Sequence, residues 1–179
     1  MTAVPRIWEK FYSSITIAIK DATRLQQQAY QWSIGTGYKV ADLVLVGKPV
    51  PSSLKAKFRI ARILTLDNIR RFIGIHRARY LNTGAAPISP ELIRWYLALG
   101  IPMLEVWGMT ETGTAMTAMP ADGIRPGTIG RAARYAQVRL DPETKELQVR
   151  ADSVFMGYLN LPEKTAEVFD EGRWLKTGD

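Results

Sequence analysis

The chain has 179 residues, no cysteine and a single histidine, and 46% of its residues are hydrophobic. This composition can fill a sizeable core, and it excludes disulfides, thiolate metal sites and sites built from several histidines. No apolar run is long enough to cross a bilayer and the N-terminal residues lack the apolar stretch of a signal peptide, so we expect a cytoplasmic protein or one on a membrane's cytosolic face.

Positive charge is concentrated in the first half of the chain. Residues 1–80 carry 14 Lys and Arg against 4 Asp and Glu, whereas residues 81–179 carry 10 against 13. A basic half is compatible with an anionic membrane, with nucleic acid, or simply with solvated helix faces. Its aromatic residues do not alternate with the basic ones as they do in base-stacking surfaces, so we do not expect a nucleic-acid partner.

The first half is predicted to be largely helical. Residues 6–32 form a helical pattern that is interrupted near Asp21 and Thr23, and residues 40–47 fit either a continuing helix or a short strand. The intervening SIGTGYK (33–39) is only loosely similar to a phosphate-binding loop, because it lacks the full spacing and no buried strand precedes it. We therefore predict a break in the helix at this segment.

A further helix is predicted after the prolines at positions 49 and 51. Ser52 or Ser53 is expected to cap it, and it should run from about Leu54 to Leu64. Leu54, Phe58 and Ala61 fall on one face at helical spacing, with basic residues over much of the remainder. The pattern predicts an amphipathic helix whose basic face is exposed to solvent.

The second half begins with an alternation of strand and helix. RYLN (79–82) is a predicted strand that leads into the loop TGAAP (83–87), and a helix over Pro90–Leu99 follows. A second strand, Ile101–Trp107, then leads into GMTETG (108–113). Parallel strands bind ligands at their carboxyl ends, so we expect both loops at one edge of a sheet.

After residue 120 the pattern changes to β structure. Two strands with a turn at DPET (141–144) predict a hairpin. A short helix over Pro162–Phe169 and a strand at RWLK (173–176) follow.

The loop GMTETG combines several chemistries. Gly108 allows a sharp turn and close approach of the backbone, and Thr110 offers a hydroxyl to phosphate oxygens. Glu111 is a hard oxygen ligand of the kind Mg²⁺ prefers, and Trp107 offers a flat face to a base. These are the components of a nucleoside-triphosphate site, although the segment alone equally fits an ordinary strand-to-loop corner.

Two other turns carry candidate residues. Gly84, Ala85 and Ala86 in TGAAP are small enough to let a flat group or a carboxylate approach the backbone. Asp179, at the end of WLKTGD, can accept hydrogen bonds from both hydroxyls of a ribose. Each segment taken alone also fits a simple connection, so neither decides a function.

The order of several motifs is more specific than any one of them. TGAAPISPEL, VWGMTETG, RPGTIGR, VFMGYLNLPEKTAEVF and GRWLKTGD occur in that order, and in this the chain resembles the acyl-adenylate-forming, or AMP-binding, superfamily. VPRIWEKFY and the long basic helical region are similar to long-chain fatty acid–CoA ligases of the bubblegum type. The resemblance covers essentially the whole chain.

The resemblance implies an α/β fold that is part of the large N-terminal domain of an AMP-forming acyl-CoA synthetase. Residues 1–120 would be the last part of its nucleotide- and acyl-binding subdomain. Residues 121–179 would be a β-rich, small barrel-like subdomain that is cut at the ribose-binding motif.

The implied enzyme converts ATP, fatty acid and coenzyme A to acyl-CoA, AMP and pyrophosphate through an acyl-AMP, with Mg²⁺. The resemblance places Trp107 beside adenine, Thr110 on phosphate and Glu111 on the metal, so that Thr110 and Glu111 are the catalytic candidates. Gly108 is a further cofactor-binding candidate. It also places Asp179 on the ribose. Residues 84–86 would line the pocket for adenine and the acyl carboxylate.

The chain departs from the family pattern in two ways. The Ser/Thr/Gly-rich phosphate loop and the C-terminal domain with its catalytic lysine do not occur in it, so we expect an internal fragment with little ligase activity alone. Missing segments of the same polypeptide would then be partners, and the basic first half is a candidate surface for peripheral membrane contact. A ligase for another acyl, aryl or amino acid and a non-catalytic adenosine-nucleotide-binding module stay open as alternatives.

Overall fold

The computed structural model describes all 179 residues, whose contacts divide them into two compact units. The first unit comprises residues 1–105 and 119–128, and the second comprises residues 106–118 and 129–179. The predicted division near residue 120 concerns subdomains of a longer protein and stays a prediction.

The first unit contains most of the helix. Its elements in chain order are β1 (Thr2–Ala3), α1 (Pro5–Lys20), α2 (Arg24–Leu45), α3 (Ser52–Ala61), α4 (Asp67–Phe72), β2 (Leu81–Thr83), α5 (Pro90–Ala98) and the first three residues of β3 (Met103–Trp107). A π-helical turn at Arg62–Leu66 joins α3 to α4. β2 pairs in parallel with both β1 and β3, and Thr83 lies opposite Glu105. The predicted strand–helix–strand unit is confirmed.

The break between the first two helices has a local cause. The Thr23 hydroxyl accepts a hydrogen bond from the backbone N–H of Gln26 at 3.4 Å, and the Gln26 side chain accepts one from the Thr23 N–H at 3.0 Å. This reciprocal capping box satisfies two donors that a helix start leaves unpaired. The predicted break near Asp21 and Thr23 is confirmed.

The predicted break at residues 33–39 is wrong, because α2 continues through this segment to Leu45. Gly37 is buried against α5, and a Cβ atom on it would lie 2.2 Å from the carbonyl oxygen of Ala98. The glycine therefore permits a close helix–helix contact whose packing offsets the low helix propensity of glycine. The same helix includes residues 40–45, where the sequence allowed either helix or strand.

The predicted serine cap of α3 is also wrong. The N-cap position is Pro51 and no side chain caps the helix, so Ser52 and Ser53 lie within its first turn. The fixed φ of proline, −60° here, already suits the residue that precedes a helix. The predicted apolar face is confirmed, since Ala61 is fully buried and Phe58 packs against the core.

Three aromatic residues form the centre of the first unit's core. Trp8, Trp95 and Tyr96 are at most 1% exposed. Tyr96 meets Trp8 and Trp95 edge to face, with ring centroids 5.6 and 4.8 Å apart. The Tyr96 hydroxyl donates a hydrogen bond to the carbonyl oxygen of Trp8 at 2.9 Å, so its polar atom is satisfied inside the core.

The second unit is mainly β structure. It contains the end of β3, then β4 (Thr117–Ala118), β5 (Arg131–Ala132), β6 (Gln137–Leu140), β7 (Leu147–Arg150), α6 (Pro162–Val168) and β8 (Leu175–Lys176). β4 pairs antiparallel with β3 and β5, and β7 pairs antiparallel with β6 and β8. The predicted hairpin, short helix and final strand are confirmed. Met116, Val149 and Leu175 form its buried centre.

None of the helices combines the length and the apolar content needed to cross a bilayer.

Candidate functional site

The loop after β3 folds back so that residues 114 and 115 lie against Gly108. A Cβ atom at this position would lie 2.6 Å from the carbonyl oxygen of Thr114 and 2.9 Å from the Cα of Ala115. Any residue larger than glycine would therefore push the two sides of the loop apart. The backbone of the loop thus approaches Gly108 closely, while the predicted sharp turn and the contact of Gly108 with a nucleotide stay predictions.

A buried hydroxyl holds the loop closed. Thr112 is fully buried, and its Oγ1 accepts a hydrogen bond from the Met109 N–H at 3.0 Å. The same hydroxyl can donate to the carbonyl oxygen of Thr114, which lies 2.7 Å away. Sequence reasoning assigned Thr112 no role, although a hydroxyl that bonds a nearby backbone group is a known turn signal. Thr112 fixes the backbone that carries Thr110 and Glu111.

The two candidate catalytic residues differ in exposure. Thr110 begins the short 3₁₀ turn Thr110–Thr112 and its side chain is exposed. Glu111 is half-buried, and its Oε1 accepts a hydrogen bond from the Tyr158 hydroxyl at 2.9 Å. That bond raises the pKa of the Tyr158 phenol above its ordinary value. Sequence reasoning did not find Tyr158, which is 47 positions away in the chain.

A metal at Glu111 would need ligands from outside the chain. The structure contains no cluster of three or more His, Cys, Asp or Glu suited to a metal ion. Glu111 Oε2 makes no hydrogen bond within the chain, so one hard oxygen is free to face a cation. Mg²⁺ is commonly held by one or two carboxylates together with substrate phosphates and water, and this arrangement fits that pattern.

Asp179, the last residue of WLKTGD, is hydrogen-bonded to Trp107, the aromatic residue just before GMTETG. The Trp107 indole Nε1–H donates a hydrogen bond to Asp179 Oδ2 at 2.7 Å. One part of the Trp107 side chain packs on the Met116–Val149–Leu175 core, and the residue is half-buried. The structure thus brings together the residues predicted to bind the base and the ribose.

Backbone hydrogen bonds hold the Asp179 turn in place. The Leu147 N–H donates to the carbonyl oxygen of Asp179 at 2.8 Å, and the Thr177 hydroxyl donates to the carbonyl oxygen of Leu147 at 2.6 Å. Gly178 adopts φ +77°, a conformation that favours glycine, and its N–H donates to the Glu146 side chain. The turn is therefore attached to β7, the central strand of its sheet.

The remaining candidate residues belong to the first unit. Residues 84–86 follow β2 directly, and Ala85 and Ala86 are exposed. Ala85 has φ +66°, which is uncommon for any residue but glycine and marks local strain. The Thr83 hydroxyl just before them is buried and has no partner within the chain. That residues 84–86 share an edge with GMTETG stays a prediction.

Comparison with known proteins identifies the family. The profile described as "AMP-binding enzyme" matches residues 1–159, which is most of the chain. The chain belongs to the AMP-binding enzyme family. This confirms the resemblance to adenylate-forming enzymes that the order of the motifs indicates.

Two curated relatives in this family are named as fatty-acid–CoA ligases. The chain is 36% identical over 179 residues to fadD11 of Mycobacterium tuberculosis, whose name describes a fatty-acid–CoA ligase, with 99% of this chain and 31% of that protein covered. It is 32% identical over 180 residues to the long-chain-fatty-acid–CoA ligase ACSBG2 of Gallus gallus, with 98% and 23% covered. The chain therefore spans less than a third of the length of these relatives, and the expected similarity to bubblegum-type ligases is confirmed.

A solved structure supports the fold. The N-terminal domain of FACL13 from Mycobacterium tuberculosis is 27% identical and superimposes with a TM-score of 0.54, over 64% of this chain and 33% of that one. The AMP-binding chain thus has the mixed α/β architecture of the N-terminal domain of AMP-forming ligases, as its sequence predicts.

Proposed function

We propose that the chain supplies the adenosine- and metal-binding part of an AMP-forming fatty-acid–CoA ligase. The reaction couples ATP and a fatty acid to an acyl-AMP with loss of pyrophosphate, and coenzyme A then displaces AMP to form the thioester. Membership of the AMP-binding family supports an adenosine nucleotide. The names of the relatives favour a fatty acid over an aryl or amino acid.

The single observation that carries the proposal is the Trp107–Asp179 hydrogen bond. It pairs an aromatic side chain with a carboxylate at one place on the second unit. Asp179 is exposed and its Oδ1 makes no hydrogen bond within the chain. That oxygen can accept a ribose hydroxyl while Oδ2 stays bonded to the indole, which would orient the sugar relative to the base.

In the proposed site, Thr110 and Glu111 would bind the phosphates and their metal ion. The exposed Thr110 hydroxyl would donate to a phosphate oxygen, and Glu111 Oε2 would hold Mg²⁺. When bound, the ion offsets negative charge on the transferring and leaving phosphates. The loop is held by Thr112 before any ligand arrives, so little ordering of its backbone is required on binding.

The acyl side of the proposal involves the first unit. Gly84, Ala85 and Ala86 would line the pocket for adenine and the acyl carboxylate, where small side chains leave the backbone accessible. The exposure of Ala85 and Ala86 and the left-handed conformation of Ala85 are compatible with a loop shaped for close approach.

Nucleotide binding by Asp179 variants tests the proposal. Calorimetry should show AMP binding to the wild-type chain and about tenfold weaker binding to Asp179→Asn, since a charged hydrogen bond contributes about 1.5 to 3 kcal/mol. Asp152→Asn is the matched control, because Asp152 is an exposed aspartate of the same unit. Equal AMP affinity in all three proteins would contradict the assignment of Asp179.

Ligase activity of the chain alone is a separate question. The expectation of little activity is tested by ATP–pyrophosphate exchange with a fatty acid present. Robust exchange would refute it, whereas nucleotide binding without exchange would fit both the proposed partial site and a non-catalytic binding module.

We also propose peripheral membrane contact on a cytosolic surface through the α3–α4 region. Lys55, Lys57 and Arg59 are exposed there. The apolar side chains of Ile63 and Phe72 are 67% and 69% exposed. Basic and apolar groups side by side suit an anionic lipid surface. Binding to vesicles that depended on neither anionic lipid nor salt concentration would count against this contact.

A further inference from the structure

The carboxylate of Glu111 is held by a second segment of the chain, residues 153–158. The Tyr158 hydroxyl donates to Oε1 at 2.9 Å, and the Phe155 N–H donates to the carbonyl oxygen of Glu111 at 2.8 Å. Gly113, at the end of the same loop, approaches so closely that a Cβ atom on it would lie 2.7 Å from the Ser153 carbonyl oxygen. Both the Glu111 side chain and the backbone of its loop therefore contact residues 153–158.

Tyr158 is itself held in a fixed position. Its N–H donates to the Thr165 Oγ1 at 2.9 Å, and the Thr165 hydroxyl donates to the carbonyl oxygen of Leu161 at 2.9 Å. A Cβ atom on Gly157 would lie 2.5 Å from Thr165 Cγ2, so the segment packs tightly on α6. The Phe155 ring meets the Tyr158 ring edge to face at 4.8 Å. The phenol is therefore a preorganised donor.

The two carboxylate oxygens of Glu111 differ in their partners, and this difference suggests a function for the contact with Tyr158. One oxygen of Glu111 is bonded to Tyr158, and the other makes no hydrogen bond within the chain. A carboxylate that is oriented through one oxygen presents the other in a single direction, which favours a cation with strict geometric demands such as Mg²⁺. A free glutamate would lose side-chain entropy on binding the ion.

We propose that Tyr158 is a positioning residue that orients Glu111 toward the metal bound with ATP. This inference rests on the proposed function, since it assigns a partner to the residue proposed to hold Mg²⁺. The phenol makes no contact with substrate in this assignment and acts only through Glu111. A purely structural role, in which the bond merely attaches residues 153–158 to the loop, is the alternative outcome.

The first experiment asks whether the contact exists in solution, independently of any function. Tyr158→Phe removes only the hydroxyl, and Glu111→Gln removes the charge of its acceptor. A double-mutant cycle of these two changes, measured by urea unfolding, reports whether the two side chains interact, and we expect their effects on the free energy of unfolding to be non-additive. Strictly additive effects would overturn the proposal whatever the chain binds.

The second experiment measures ATP binding with and without Mg²⁺. We expect Mg²⁺ to strengthen ATP binding in the wild type, Glu111→Gln to abolish this enhancement, and Tyr158→Phe to reduce it about tenfold, the usual cost of losing a metal ligand's partner. AMP binding should be unchanged in Tyr158→Phe. Tyr80→Phe is the matched control, because Tyr80 is 48% exposed and its hydroxyl makes no hydrogen bond within the chain.

The outcomes separate the two proposals. Loss of the Mg²⁺ effect in Glu111→Gln with a wild-type response in Tyr158→Phe would overturn the positioning role and leave the metal role of Glu111 intact. Equal weakening of AMP and Mg²⁺-ATP binding in Tyr158→Phe would identify a structural bond and also overturn it. A wild-type Mg²⁺ response in Glu111→Gln would refute the metal assignment itself, and the positioning role with it.

Discussion

The indole of Trp107 donates a hydrogen bond to the carboxylate of Asp179 at 2.7 Å, across 72 positions of the chain. Both ends are attached to β structure, since Trp107 is the last residue of β3 and the Asp179 backbone is bonded to Leu147 of β7. Two motifs that are far apart in sequence therefore form one surface of the second unit. The proposed adenosine site depends on this pairing.

Removing the indole donor tests that pairing. Trp107→Phe keeps an aromatic face but cannot donate to Asp179, so the carboxylate loses its orienting partner. We expect AMP affinity to fall about fivefold, corresponding to roughly 1 kcal/mol for one hydrogen bond. Calorimetric titration with AMP measures this effect. Trp32→Phe provides the control, because Trp32 is 46% exposed on α2 of the first unit; a larger loss of affinity there than in Trp107→Phe would contradict the prediction.

The buried hydroxyl of Thr112 should matter for stability. Thr112→Val has nearly the same shape but leaves the Met109 N–H and the Thr114 carbonyl without their partner. A typical hydrogen bond contributes about 0.5 to 1.5 kcal/mol, so the loss of these two bonds should lower the free energy of unfolding by about 1 to 3 kcal/mol in urea titrations. Thr110→Val, two residues away and exposed, should change it by less than about 0.5 kcal/mol. Equal stability of the two variants would show that the loop is not held by Thr112.

Two glycines of α2 provide a matched pair for helix packing. Gly37→Ala would place a Cβ atom 2.2 Å from the Ala98 carbonyl oxygen, whereas a Cβ atom on Gly35 meets nothing within 4 Å. We expect Gly37→Ala to destabilise the protein by about 1 to 3 kcal/mol through overpacking. Gly35→Ala should stabilise it by about 0.5 to 1 kcal/mol, because alanine is the better helix former. Thermal and urea unfolding measure both effects, and destabilisation of similar size in the two variants would contradict the close contact.

Acid should weaken the turn between α6 and β8 that contains Asp170. The Trp174 N–H donates to this carboxylate, and together with Arg139 and the Gly172 N–H it lowers the pKa of Asp170 below its ordinary value. A lowered folded-state pKa means that the stabilisation is present above the pKa of the unfolded chain, about 4, and is lost as pH falls through the folded value. Stability should therefore decrease on acidification below about pH 4.

The variant Asp170→Asn isolates this contribution. Asparagine retains an acceptor oxygen for the N–H groups of Gly172 and Trp174 but does not titrate. The fall in unfolding free energy between about pH 5 and pH 3 should be shallower in this variant than in the wild type. Identical pH profiles for Asp170→Asn and the wild type would refute the assignment.

Local signals in the sequence predicted many of the elements correctly. The helix break at Asp21–Thr23 is visible because a capping box involves residues only three apart. The turn at residues 141–144 is visible for the same reason, since Asp141 accepts hydrogen bonds from the N–H groups of Glu143 and Thr144. Predictions were wrong where tertiary packing outweighed a local preference. At Gly37, the absence of a side chain allows α5 to pack closely against α2.

The sequence by itself therefore determined the family, the α/β class and the identity of the candidate residues Trp107, Thr110, Glu111 and Asp179, because motif order and short-range turn chemistry are encoded in consecutive residues. Only the tertiary structure showed that the indole reaches Asp179, that Thr112 holds the loop and that Tyr158 is bonded to Glu111. The contacts of Trp107 and Glu111 join residues 72 and 47 positions apart. Such contacts depend on how strands and loops pack in space, and no periodicity or spacing along the chain specifies them.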